Sequence, residues 1–231
     1  MFGRVYAALQ SDFFWDMPAH SGVLVTVGVP TARIVAGANR PGDIDLLIVP
    51  YVGAELVLDR ILAVEVKIVR ASFVRQGHSP NDFGFSQAAG LKQLGFPHVA
   101  VVHLIVSDSS PPSHWELVGV FRILDHDGRA QREPDRYVDT LPSKLMDRCF
   151  GRLLANCPDE SIGLGAAYIE PWTMADRQIA GSDGYWLPSC RSSTPNSLAS
   201  VTLVEAVANY YERYPSTFLA TPRHDPLSTP P

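Results

Sequence analysis

Asp45, Glu65 and Lys67 lie inside two of the most apolar stretches of this 231-residue chain. Residues 42–50 read Gly-Asp-Ile-Asp-Leu-Leu-Ile-Val-Pro, and residues 61–69 read Ile-Leu-Ala-Val-Glu-Val-Lys-Ile-Val. Both stretches are short, rich in Val, Ile and Leu, and bounded by Pro, Gly or charged residues, which predicts buried strands. Side chains at i and i+2 of a strand share a face. Asp43 therefore points with Asp45, and Glu65 with Lys67. If the two strands are neighbours, carboxylates and one ammonium converge in an apolar sheet. Buried charge is costly unless it is paired or holds a metal, and that cost marks a candidate site. The plainer readings are Asp45 capping a turn after Pro41-Gly42, and Glu65 with Lys67 forming the exposed face of an edge strand. The neighbouring Val64, Val66, Ile68 and Val69 favour burial.

These residues must be held by an α/β framework. Residues 1–15 suit a first helix or an irregular segment packed by Phe13, Phe14 and Trp15. Residues 23–29 and 33–36 read as strands separated by a turn at Pro30. The connection at 51–60, with Gly53 near its tip, suits an antiparallel hairpin. Ser79-Pro80-Asn81-Asp82 has the form of a helix start, with a Ser cap and Pro at the first helical position. That helix runs to Leu94 and stops at Gly95. Residues 99–106 form the next buried strand. His103 within it reads as a satisfied core histidine rather than a ligand.

The second half is less regular. Residues 115–124 alternate as one more strand beside the core, and Asp125-His126-Asp127-Gly128 reads as a turn. Residues 143–156 are amphipathic, with Leu145, Cys149, Phe150 and Leu153 on one face. Residues 157–197 look loop-rich around Trp172, Tyr185 and Trp186. Residues 197–214 suit a helix that Pro215 ends. The expected division is a core at 1–124, a helical and loop-containing extension packed on it at 125–220, and a disordered, proline-rich tail at 221–231.

Composition sets outer limits. A hydrophobic fraction of 46% with 19% charged residues describes a folded domain. No apolar run reaches the roughly 18 residues of a membrane span, and the N-terminus lacks the pattern of a secretory signal. Cys149, Cys157 and Cys190 are an odd number without CxxC spacing, which suggests reduced thiols and a cytoplasmic location. The net charge of −5 gives no overall basic character. Lys67, Arg70, Arg75, His78 and Lys92 nevertheless concentrate after the second strand, where they suit either a phosphate-facing edge or a solvated surface.

The pattern Gly42-Asp43-Ile44-Asp45, nineteen intervening residues, then Glu65-Val66-Lys67, followed by Gln87 in a helical segment, resembles the PD-(D/E)XK nuclease superfamily. It is nearest in motif to its Holliday-junction-resolvase-like and RecB-type members. The resemblance covers roughly residues 20–106, less than half of the chain. Two features depart from it. No Glu precedes Glu55, so an N-terminal acid would have to come from Asp12 or Asp16, and Leu91 stands where RecB-type members carry Tyr. The resemblance implies a restriction-endonuclease-like αβββαβ core with a mixed central sheet. It also implies phosphodiester hydrolysis dependent on Mg²⁺ or Mn²⁺, on nucleic acid and on DNA rather than RNA.

Under that resemblance Asp45 and Glu65, with the Val66 carbonyl and Asp43, are the expected metal ligands. Mg²⁺ takes hard oxygen donors and keeps several waters. Lys67 would orient the attacking water or stabilise charge in the transition state, and Gln87 would position water or a phosphate oxygen. Gln87 is equally readable as a solvated helix position. A homodimer would present two sites to antiparallel strands. The second reading is a catalytically silent member of the same fold, serving as a nucleic-acid-binding or protein-interaction subunit.

Overall fold

Val, Ile and Leu dominate the first half of the chain in short runs, and runs buried on both faces need helices on both sides of a sheet. The computed structural model describes residues 2–18, 20–37, 42–77, 82–124, 129–169 and 189–223. It is α/β with a mixed central sheet. The chain runs α1 (Phe2–Leu9), α2 (Ser11–Phe14), β1 (Ser21–Pro30), α3 (Thr31–Ile34), β2 (Asp43–Val52), β3 (Glu55–Leu56) and β4 (Leu62–Arg70). It continues through α4 (Phe85–Leu94), β5 (His98–Val106), β6 (Glu116–Ile123), β7 (Ala130–Val138) and α5 (Leu141–Asn156). The last elements are β8 (Gly163–Ile169), β9 (Ser189–Arg191), α6 (Val201–Arg213) and β10 (Leu219–Pro222).

The central sheet has the order β10-β1-β2-β4-β5-β8-β9, with β3 added to β2. β1, β2 and β4 are antiparallel neighbours, whereas β5 is parallel to both β4 and β8. The parallel step from β4 to β5 is made through α4. One face of the sheet packs Leu47, Val49, Ala63 and Val101 against Ala88 and Leu91 of α4 and Leu203, Val207 and Tyr210 of α6. Val69 and Ile105 carry that face on to Leu145, Met146 and Cys149 of α5. The opposite face packs Leu46, Ile48, Leu62, Val64 and Val102 against Tyr6 and Leu9 of α1.

Several expectations are corrected. Residues 33–36 do not form a strand. β1 already has β2 and β10 on its two edges, and the chain after Pro30 makes one helical turn that buries Thr31 and Ile34 and exposes Arg33. Helix α4 begins at Phe85, because Gly84 before it has φ +88°, in the left-handed region. Asp82 is therefore outside the helix, and Ser79, Pro80 and Asn81 are outside the described residues. The strand at 115–124 exists as β6 but pairs with β7 in a separate two-stranded ribbon, since β4 and β8 occupy both edges of β5.

The stretch 157–197 contributes β8 and β9 to the central sheet. Trp172, Tyr185 and Trp186, like the turn at 125–128, lie outside the described residues. The late helix starts at Val201, capped by Ser200, whose hydroxyl accepts from the Leu203 N–H. Leu198 and Val201 are exposed rather than on its buried face. Thr221 and Pro222 are not tail residues, because they pair with Val23 and Gly22. The central sheet thus draws strands from both sides of residue 124. Among the described residues no helix is long and apolar enough to cross a membrane.

Candidate functional site

The β2–β4 ladder runs Ile48–Leu62, Leu47–Ala63 and Leu46–Val64. One step beyond its end, Asp45 stands across from Glu65, on the face that carries Leu47 and Ala63. There the side chain takes over from the backbone, and Asp45 Oδ2 accepts from the Val66 N–H at 2.7 Å. Glu65 is 5% exposed. Lys67, two residues on, returns to the same face and places Nζ 2.9 Å from Glu65 Oε1 and 3.9 Å from Asp82 Oδ2.

Burial pushes the Glu65 carboxyl above the usual range. The hydrogen bond from Lys67 pulls it back in part, while the charge of Asp45 and a hydrogen bond with it push further upward. The two carboxyl groups thus share one face of the sheet, across the β2–β4 seam. For Lys67, burial favours the neutral amine, but the bond it donates to Glu65 and the charges of Glu65, Asp82 and Asp45 outweigh it and hold the ammonium's pKa above its ordinary value. Lys67 is cationic throughout the physiological range.

The roof of this notch is the turn Asp82-Phe83-Gly84. Asp82 Oδ1 accepts from the Gly84 N–H at 3.0 Å. That bond is the chief reason its carboxyl is held below the usual range, with help from a hydrogen bond from Gln87 and the charge of Lys67. Gly84 lies directly over the charged pair, so a Cβ there would stand 2.9 Å from Glu65 Cγ and 3.3 Å from Lys67 Cε. His103, beside Lys67 in the parallel ladder, supports the turn from below. Its Nε2 is 3.1 Å from the Phe83 carbonyl and its Nδ1 is 3.2 Å from Cys149 Sγ. Fully buried and with both ring nitrogens occupied, His103 is a core histidine.

Asp45, Glu65 and Lys67 are thus brought together on one face. Gln87 joins them by way of Asp82 rather than directly, and its Oε1 also accepts from Ser86 Oγ at 2.8 Å. Asp43 is exposed two residues before Asp45, opposite Pro30. Asp12 does not reach the site. It pairs with Arg60 at 3.9 Å, at the opposite end of β4. The basic residues after β4 do not form one edge either, because Lys92 is bound to Asp159 and Ser161. His78 is outside the described residues. Sequence reasoning missed Asp82 and Gly84 as site residues. The available signal was an Asp two residues before a Gly, a common turn former.

Asp45 and Glu65 carry the hard oxygen donors that Mg²⁺ accepts alongside water. No cluster of three or more His, Cys, Asp or Glu side chains set to hold a metal occurs among the described residues. No protein-family model matches this chain, and neither a curated protein nor a solved structure matches it.

Proposed function

We propose that this chain is a metal-dependent nuclease of restriction-endonuclease-like fold, hydrolysing phosphodiester bonds in nucleic acid, DNA before RNA. The observation that carries the reading is the placement of Asp45 and the buried Glu65 on one sheet face, across the β2–β4 seam from each other, beside the single ammonium of Lys67. Two carboxylates and Lys67 sum to one negative charge, which a bound proton or cation offsets. The donor set fits a divalent ion with water completing its shell. Asp45 and Glu65, with the Val66 carbonyl, would hold Mg²⁺ or Mn²⁺, which when bound supplies a more acidic water and neutralises phosphate charge. Lys67 offers its remaining donors to the attacking water or a phosphate oxygen, in the position where negative charge grows. Asp82 and Gln87 keep Lys67 aimed. Support also comes from the element order, since α1, β1, β2, β4, α4 and β5 follow the αβββαβ sequence with the motif residues on β2 and β4.

The second reading is a catalytically silent member of that fold acting through nucleic-acid or protein binding. One observation favours it. Asp45, Glu65 and Lys67 each already have a partner within the chain. Cleavage assays on circular, linear, branched and single-stranded DNA and on RNA, with and without Mg²⁺ or Mn²⁺, separate the two. Binding without cleavage under any of these conditions selects the silent reading.

A further inference from the structure

Helix α3 leaves the sheet at Pro30, which pairs with Asp43 at the end of β2 nearest the carboxylates. Its Ile34 packs into the same apolar cluster as Val207 and Tyr210 of α6, on the sheet face that also carries Asp45 and Glu65. Between α3 and α6 is a pocket of about 200 Å³, lined among others by Arg33, Asn209, Arg213 and Tyr214. Asn209 and Arg213 are one helical turn apart, so both side chains face the same gap. Arg33 reaches it from the opposite wall with its guanidinium 5.8 Å from the centre of the Tyr214 ring.

Among the described residues no salt bridge joins Arg33 or Arg213 to an acid, unlike Arg60, Arg122, Arg132 and Arg136. Two guanidiniums lining one pocket repel each other, and an anion between them turns that repulsion into attraction. The planar fork of Arg matches the oxygens of a phosphate, and Asn209 adds a neutral donor beside it.

We infer that the pocket between α3 and α6 binds a phosphate group, with Arg33 and Arg213 as the charged clamp and Asn209 as the third donor. The phosphate could belong to the backbone of a nucleic acid or to a free phosphate compound. The first source rests on the nuclease reading above, since it makes the pocket a grip on the strand beside the scissile bond. The second does not.

The test measures binding in EDTA, so that no cleavage enters. A fluorescein-labelled DNA duplex, its single strand and inorganic phosphate are titrated against wild type and an Arg33→Gln/Arg213→Gln double variant. A backbone site predicts that the double variant keeps its melting temperature, binds DNA about tenfold more weakly, and loses about one unit of log K against log salt slope per arginine. Phosphate binding that is abolished in the double variant while DNA binding is unchanged supports the pocket and assigns it to a free phosphate compound. Unchanged binding of both probes, or no binding of either to wild type, overturns the inference. An Arg33→Lys/Arg213→Lys variant guards against a folding artefact, because it preserves the charge and should retain the salt slope. DNA binding without cleavage in Mg²⁺ would defeat the nuclease reading and leave this site intact.

Discussion

The peptide N–H of Val66 donates to Asp45 Oδ2 at 2.7 Å, so the carboxylate of β2 is held by backbone midway between Glu65 and Lys67. A side chain fixed by a strand rather than by a loop has little freedom to drift, which is the preorganisation that charge stabilisation requires. The bond also couples register to chemistry. A slip of one residue in the β2–β4 pairing would send Asp45 to the face covered by α1.

Removing either carboxylate separates chemistry from binding. Asp45→Ala and Glu65→Ala should each lower cleavage by at least about 10²–10³-fold and leave nucleic-acid affinity unchanged or higher, because a charge that repels phosphate is gone. Lys67→Ala should lose cleavage with little loss of metal affinity. Gel-based cleavage and fluorescence anisotropy on the same preparations read both quantities. Equal activity in wild type and all three variants would identify a contaminant and end the nuclease proposal.

Metal binding should depend on pH through Glu65. Its carboxyl sits above the ordinary value of 4.5, burial being the main cause and Asp45 adding to it. Below that raised value a proton competes for the oxygen that the metal needs, so Mg²⁺ affinity falls as pH falls, by up to about tenfold per pH unit. Calorimetric titration of wild type between neutral and acid pH should show this slope, and Glu65→Gln should abolish it. A flat profile in wild type would remove Glu65 from the ligand set.

Stability carries a separate pH signature at the other end of β5. His98 is buried, with Nδ1 2.8 Å from Gln10 Nε2 and 3.2 Å from Ser193 Oγ, tying α1 and the loop after β9 to the sheet. Burial, aided by the charge of Arg60, lowers its pKa from 6.5 to about 4. The folded state thus refuses a proton that the unfolded state accepts. Stability is full above pH 6.5 and is lost as pH falls toward 4, by about 3 kcal/mol at 1.36 kcal/mol per pH unit. Glu65, with a raised pKa, has the opposite sign above 4.5. The His98 effect is therefore read as the difference between wild type and His98→Gln in urea melts, where the variant should lose less stability on acidification.

The meeting of Asp45, Glu65 and Lys67 on one face was legible in the sequence because its signal is a contradiction between levels. Asp45, Glu65 and Lys67 are charged residues in runs of Val, Ile and Leu, and the alternation of a strand fixes which of them share a face. The roof was not legible. Asp82 fits the first turn of a helix as well as it fits a turn before one, and the left-handed Gly84 decides between them only in three dimensions. β8 was hidden for another reason. Gly163, Gly165, Ala166 and Ala167 have low strand propensity, and their burial comes from packing between β5, β9 and α5, which no local pattern records. β10 was masked by Pro222, tolerable because it ends an edge strand. The alternation in β6 was visible, but which strand edge it would meet depends on β8 already filling the place beside β5.

Gly84 offers the sharpest test of whether the roof serves the site. An alanine there would meet two costs. The φ of +88° disfavours any Cβ, and the Cβ would stand 2.9 Å from Glu65 Cγ and 3.3 Å from Lys67 Cε. The first cost is about 1–2 kcal/mol of stability. The second displaces the charged pair itself, and a misplacement on the order of 1 Å in a reacting site costs roughly 10²-fold in rate. Gly95→Ala is the matched control. Gly95 has φ +103° at the other end of α4, and its added Cβ would crowd Ser200 at 2.6 Å rather than Glu65 or Lys67. Both variants should melt earlier than wild type. Under conditions where each is fully folded, only Gly84→Ala should lose cleavage, and wild-type Mg²⁺-dependent activity in Gly84→Ala would show that the Asp82–Gly84 turn plays no part in holding Glu65 and Lys67.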